Sequence, residues 1–264
     1  MHDRRVHRGR YVKSMKNWRH YFEGNKTNRM TIPWEHGTKI EPHLRVPLVR
    51  SLQCFQVGES GGSGHLQQLA RATGDDDYVA AIELFADEEA EHGRLLARML
   101  ERLEAPLLHG HWSDGIFVML RRIGGGGLRG LHTELLTLLI AEMIAKRYYR
   151  ALHEGLSDDV LRAMCRQILR DEAGHVAFHC DYLRGALAQL APPVRVLVRN
   201  TWRTAYRLAC LLVLFDHRGV LRASHVSAAQ WWRDCNAIFD TTADSIFQHQ
   251  AATENIAQLR VVAK

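Results

Sequence analysis

The chain has 264 residues, 46% of them hydrophobic, enough to bury a large core in one domain with appendages. Five dispersed cysteines with no C-x-x-C pair suit reduced core thiols and argue against a disulfide framework or a zinc or rubredoxin-type site. The net charge of +6 is local, because residues 1–30 hold nine Lys and Arg against Asp3 and Glu23.

In chain order, residues 1–45 read as a basic extension carrying Trp18, Tyr21, Phe22 and Trp34. Its start lacks the apolar stretch of a secretion signal, so a cytoplasmic location is expected. A cationic arm of this kind can contact phosphates, but a solvated or packing extension is the commoner outcome, and nucleic acid is not expected as a partner. The longest apolar run further on, residues 208–215, falls short of the roughly 18–20 residues that cross a bilayer, so no membrane span is expected.

From residue 46 to 188, apolar residues recur in steps of three and four, the helical period. Leu48, Leu52, Phe55, Glu59, Gly62 and Leu66 mark a first helix, and Tyr78, Ile82, Phe85, Glu89, His92 and Leu96 a second. Leu135, Leu138, Glu142, Ala145 and Tyr149 mark a third, and Leu161, Cys165, Ile168, Glu172, His175 and His179 a fourth. Gly58, Gly61, Gly62 and Gly64 fall inside the first helix, where each glycine costs roughly 0.5–1 kcal/mol relative to alanine. A π-bulge or other distortion is expected there; glycines that permit close helix packing are the other reading.

Turns at residues 74–77 and 155–159 fold these helices into two hairpins. Glu59 and Glu89 lie fifteen residues either side of Gly74, and Glu142 and Glu172 fifteen either side of Ser157. At 1.5 Å per residue both pairs sit about 22 Å from their turns, so antiparallel partners bring their glutamates face to face at mid-bundle. Residues 105–130, with a short helix expected over 113–123, exceed the roughly 2–8 residues of a helix–helix turn. They suit a crossover running the length of the bundle, which makes the second and third helices parallel. After Pro192 and Pro193, residues 194–217 and 227–252 read as two more helices packed on the bundle, within a C-terminal region spanning 192–264.

The chemistry sits in two Glu-x-x-His tetrads, Glu89 with His92 and Glu172 with His175, each thirty residues after a lone glutamate, Glu59 or Glu142. Residues three apart share a helix face, so the carboxylate and imidazole of a tetrad reach one point. All six lie in the apolar seam, where an ionised carboxylate must be paired, protonated or metal-bound. Four glutamates cancel the charge of two divalent cations, and an oxygen and imidazole donor set without thiolate suits iron or manganese. The bland reading, ion-paired surface residues, explains one tetrad among 16 histidines but not two in register.

This pattern resembles the ferritin-like di-iron carboxylate superfamily, which includes ferritins, rubrerythrins, ribonucleotide reductase small subunits, acyl-carrier-protein desaturases and aldehyde deformylating oxygenases. The resemblance covers about residues 46–188. It implies an all-α, ferritin-like four-helix bundle with a long crossover between the second and third helices, to which an N-terminal arm and C-terminal helices are added. It implies Glu59, Glu89, His92, Glu142, Glu172 and His175 as the ligands of two iron ions, a manganese–iron pair being the variant. Asp171 resembles the aspartate that in several members holds a ligand histidine from the other half, and Glu88 takes the equivalent place before Glu89; such partners fix the imidazole tautomer. A solvent-facing charge is the other reading of both.

The chain also departs from several members. Ile168 stands where arylamine N-oxygenases carry an extra histidine, and Leu96 where reductase small subunits carry a radical-storing tyrosine. Glu91 and Gly174 replace an arginine common in multicomponent monooxygenases. His179, one turn after His175, either reaches the metals or is a core histidine hydrogen-bonded elsewhere. Gly62 and Ala145 leave space beside the metals for dioxygen or a substrate.

The implied activity is that of a dioxygen-dependent oxidase or oxygenase acting on a small organic substrate by hydroxylation, desaturation, N-oxygenation or oxidative C–C cleavage. Electrons would come from a separate ferredoxin or reductase, since no flavin, Fe–S or NAD motif appears. The alternatives are a ferroxidase or peroxide-handling protein, a di-iron hydroxylase of modified RNA, and a scaffold bundle without metal. A monomer or homodimer fits the first of these four, and a multi-subunit cage the iron-handling reading.

Overall fold

The computed structural model describes residues 3–60, 64–110 and 125–247, with side chains from residue 15 onward. The described residues form nine helices and no strand: α1 Asp3–Thr27, α2 Pro42–Glu59, α3 Gly64–Arg71, α4 Asp76–Arg102, α5 Gly127–Gly155, α6 Asp159–Leu187, α7 Pro192–Asp216, α8 Arg218–Ala223 and α9 Ala228–Phe247. None of them is long and apolar enough to cross a membrane.

The hairpin turns are written in their caps. Asp75 Oδ1 accepts the Tyr78 backbone N–H at 2.9 Å, and Asp158 Oδ1 accepts that of Leu161 at 2.9 Å, each satisfying a donor that the first turn of a helix leaves open. The helix directions follow from side-chain pairs. Tyr78 stacks on Tyr182, Glu88 meets His175 and His92 meets Asp171, so α4 numbers rise as α6 numbers fall. Thus α4 is antiparallel to α6. A three-residue link turns α5 back into α6, which leaves α4 and α5 parallel, as the long crossover requires. The short helix expected over residues 113–123 lies outside the described residues.

The first bundle helix is not one rod. Helix α2 ends at Glu59, with Ser60 in a turn, and α3 starts at Gly64. The glycines around this point withdraw the helical preference that would carry the rod through, and Glu59 gains a position at a helix end. Gly62 lies outside the described residues. Helix α2 also starts before the apolar stripe, at Pro42, where a first-turn proline loses no hydrogen bond.

The basic extension packs on the bundle. Helix α1 lies against α4 and α6 and buries Met15, Trp18 and Phe22. Rings of Trp18 and Phe22 meet Phe178 at 5.7 and 5.2 Å, and Trp18 Nε1 donates to Asp181 Oδ2 at 3.0 Å. The charges are matched as well: Lys26 pairs with Asp87, Arg19 with Asp77 and Glu23, and Arg29 with Asp171. Each buried large apolar side chain contributes about 1.5–3 kcal/mol, against roughly 0–1 for an exposed ion pair, so the rings hold α1 in place and the exposed charges add little.

At the other end of the sequence, α9 packs on α5, α6 and α7. Trp231 is fully buried, and Trp202 Nε1 donates to the Leu136 carbonyl at 2.8 Å. All five cysteines are free thiols, four of them buried.

Candidate metal centre

Mid-height in the bundle, the four helix stripes deliver their polar members to one place. Glu59 is the last residue of α2; Glu89 and His92 project from α4, Glu142 from α5, and Glu172 and His175 from α6. His92 Nδ1 lies 3.5 Å from Glu89 Oε1, 3.6 Å from Glu172 Oε1 and 3.9 Å from Glu59 Oε2. His175 Nδ1 lies 3.0 Å from Glu89 Oε1, 3.4 Å from Glu142 Oε2 and 3.9 Å from Glu172 Oε2. Two groups result, Glu59, Glu89, His92 and Glu172, and Glu89, Glu142, Glu172 and His175, each with its donor atoms within 4.8 Å of one another. They share Glu89 and Glu172. That is the geometry of two four-donor positions joined by a pair of carboxylates.

The outer nitrogens cross between halves. His92 Nε2 meets Asp171 Oδ2 at 3.1 Å, and His175 Nε2 meets Glu88 Oε2 at 2.9 Å. An ionised carboxylate only accepts, so each Nε2 carries a proton, and each Nδ1 is turned toward the centre. Asp171 is itself held by Arg29 Nη1 at 2.8 Å and by Gln167 Nε2 at 2.8 Å, and the Gln167 carbonyl oxygen accepts the Met30 backbone N–H at 2.7 Å. Burial alone would raise the Asp171 carboxyl, but His92 and Arg29 keep it below the usual carboxylate range.

On their own, these groups compete for protons. Burial, and then the neighbouring carboxylates, push Glu59 and Glu172 well above the usual range. Burial acts the same way on Glu142, but its neighbours Glu172 and then His175 hold it low. Burial would lower His175, yet Glu142, Glu88 and Glu89 carry it well above the ordinary imidazole value. A site that gathers protons in this way is short of positive charge.

The fit to metal ions shows in the atoms left without partners. Glu89 Oε1, Glu142 Oε2, Glu172 Oε2, His92 Nδ1 and His175 Nδ1 are all buried and make no hydrogen bond. At roughly 1–3 kcal/mol for each unsatisfied group, five of them rival the whole stability of a typical domain, about 5–15 kcal/mol. Two cations between the shared carboxylates answer all five at once, and the donor types suit iron or manganese.

The six sequence-expected residues lie together, and Asp171 and Glu88 stand behind His92 and His175 of the opposite half. His179 joins neither group. It is fully buried against Phe85, with ring centroids 4.7 Å apart, and neither ring nitrogen has a hydrogen-bond partner. Burial, then the charge of His175, lower its pKa to about 3, so it stays neutral. The hydrogen-bonded core histidine expected as the alternative is thus not what forms.

Four residues around the centre were not singled out from the sequence. Tyr149 donates to Glu59 Oε1 at 3.0 Å, which leaves Oε2 toward His92. Its signal was present, since it stands two turns after Glu142 on the same stripe. Gln167, four residues before Asp171, had the helical i,i+4 signal. Arg29 and Tyr21 had none, because both reach the centre only through the packing of the N-terminal segment. A Cβ on Gly174 would collide with the Tyr21 ring, so the arginine common at this motif in other proteins is excluded by a neighbour from α1. Likewise a Cβ on Gly93 would lie 2.9 Å from Ser60 Oγ, at the point where the end of α2 approaches α4.

No protein-family model matches the chain, and no curated protein sequence matches it. The fold is shared with a solved structure, Protein 19 with aldehyde deformylating oxidase activity from Synechococcus, at a TM-score of 0.59 and 18% identity; the match covers 84% of this chain and 98% of that one. The chain has the ferritin-like helical fold, with a carboxylate–histidine cluster that could hold metal ions at its centre.

Proposed function

We propose that the chain is a dioxygen-dependent oxidoreductase of the di-iron carboxylate kind, acting on a small organic substrate with electrons from an external donor. The carrying observation is the pair of overlapping four-donor groups with five unsatisfied buried atoms facing one another. In this reading two irons would be held by the two overlapping donor groups, which share Glu89 and Glu172, with Glu59 and His92 in one and Glu142 and His175 in the other. A manganese–iron pair is the variant the same donors would accept. Bound iron would supply the redox equivalents that reduce dioxygen.

The protein's own part is positioning and exclusion. Asp171 and Glu88 hold the Nε2 protons of His92 and His175 and so turn their Nδ1 atoms toward the centre. Tyr149 fixes one oxygen of Glu59. Phe85 and Phe22 lie 4.7 and 6.1 Å from the His175 ring and shield it from water, which strengthens every charge interaction inside. The likeness to the Synechococcus protein makes aldehydes the first substrate class to test. Protein loaded with ferrous iron should consume dioxygen, and Glu142→Ala and His175→Ala should abolish that uptake. Uptake at the wild-type rate in both variants would remove the assignment.

A further inference from the structure

Helix α7 buries one side and leaves the other bare. Trp202, Tyr206 and Cys210 form the inner side, where Trp202 donates to the Leu136 carbonyl of α5 and Tyr206 to the Cys235 carbonyl of α9. On the outer side Val194, Leu197, Thr201, Thr204, Leu208, Leu211 and Phe215 are all exposed, Leu197 at 65% and Phe215 at 68%. Single exposed apolar residues are ordinary, but these follow one another at alternating steps of three and four along the whole helix. That is the spacing of a coiled-coil seam, the stripe one helix offers to another.

Charge narrows the choice of occupant. No ionisable side chain lies in the stripe, and all four arginines of α7 are held by α9. Arg195 donates to the Phe247 carbonyl, Arg199 pairs with Asp244 at 2.7 Å, Arg203 with Asp240 at 2.5 Å, and Arg207 donates to Asn236 Oδ1 at 3.0 Å. The next cation, Arg218, stacks over the Phe215 ring at 4.8 Å. A helix that lies on a membrane grips anionic headgroups with free cations along its edge, and α7 has turned its own inward. Area agrees with a helical partner. The 25 residues of α7 make a rod about 37 Å long, and half of a cylinder about 11 Å across presents roughly 640 Å² over that length. Two such faces bury about 1,300 Å², within the roughly 1,200–2,000 Å² of a specific interface.

We propose that the outer face of α7 is a homodimer interface, in which α7 of one chain packs antiparallel on α7 of a second copy about a two-fold axis. The sizes along the stripe favour the antiparallel sense. Its second half is bulky, with Leu208, Leu211 and Phe215, and its first half leaner, with Val194 and Thr201. Antiparallel packing sets each half against the other, Val194 on Leu211, Leu197 on Leu208 and Thr201 on Thr204 at the axis. A parallel pair would crowd Phe215 on Phe215. This interface is independent of what the metal centre holds.

Sedimentation velocity of the full chain at tens of micromolar tests it. Wild type should sediment at twice the chain mass. Leu208→Glu combined with Leu211→Glu should sediment as a monomer with an unchanged helical spectrum, since both positions are exposed. Leu197→Glu, on the other half of the stripe, should do the same and keeps the test open if the double variant fails to fold. Leu197→Glu mixed with Leu208→Lys should restore a dimer that neither forms alone, because the antiparallel register places the new charges opposite each other. A wild-type monomer would overturn the proposal, as would a dimer that survives both sets of glutamates. Failure of the mixture to pair would overturn the antiparallel register. Flotation of wild-type chain with phosphatidylcholine–phosphatidylglycerol vesicles, lost in the glutamate variants while the free chain stays monomeric, would assign the face to a lipid surface instead.

Discussion

Asp171 gathers more partners than its place beside Glu172 discloses: His92 from α4, Gln167 from its own helix, and Arg29 from the N-terminal segment. Its charge fixes the His92 tautomer, so Asp171→Asn should weaken metal affinity by about 10–100-fold, measured by chelator competition. An affinity equal to wild type would show that His92 needs no carboxylate behind it. The protonation pattern also sets a pH dependence. Glu59 and Glu172 have folded pKa values above the ordinary 4.5, and His175 above 6.5. Groups raised in this way favour the folded chain most below their unfolded values, and that contribution is lost as pH rises through the folded ones. The depressed Glu142 and Asp171 act in the opposite sense, but only at lower pH. Metal-free protein should therefore melt at progressively lower temperature as pH is raised from about 6.5, because three proton-gathering groups dominate that window. Iron-loaded protein should show a flatter profile, since cations replace those protons.

Among the elements, α1 is where sequence and structure differ most in emphasis. Its composition announces charge, but its packing is done by Met15, Trp18 and Phe22. Phe22→Ala should destabilise the chain by about 3–5 kcal/mol in denaturant titration, while Lys26→Ala stays within about 0.5. Equal effects would mean that charge holds the helix. The apolar spacing showed a helix here no better than an extension, because a stripe that is half cationic reveals its buried face only once a partner surface exists. The break after Glu59 was easier to anticipate, since clustered glycines weaken a helix wherever they fall. Whether they give a bulge or an end depends on the approach of Ser60 to Gly93, a contact between two helices that local sequence does not encode.

At the scale of the whole molecule, the two fifteen-residue registers carried the site. Because helical rise is constant, equal spacing from two turns places four glutamates at one depth, and the Glu-x-x-His spacing adds the histidines on the same faces. That much of the fold and of the cluster was legible without coordinates. The cross-pairing of Glu88 with His175 and Asp171 with His92 was open only by resemblance. The contributions of Arg29 and Tyr21 were closed, since they depend on where a separate helix docks. The account stands or falls on the cluster holding two ions. Anaerobic titration of the metal-free protein with ferrous iron, followed by metal analysis after desalting, measures this directly. A break at about two irons per chain in the wild type is expected, dropping to about one or none in Glu172→Ala, which removes a donor shared by both positions. Saturation at one iron in the wild type, or two irons retained in Glu172→Ala, would contradict it.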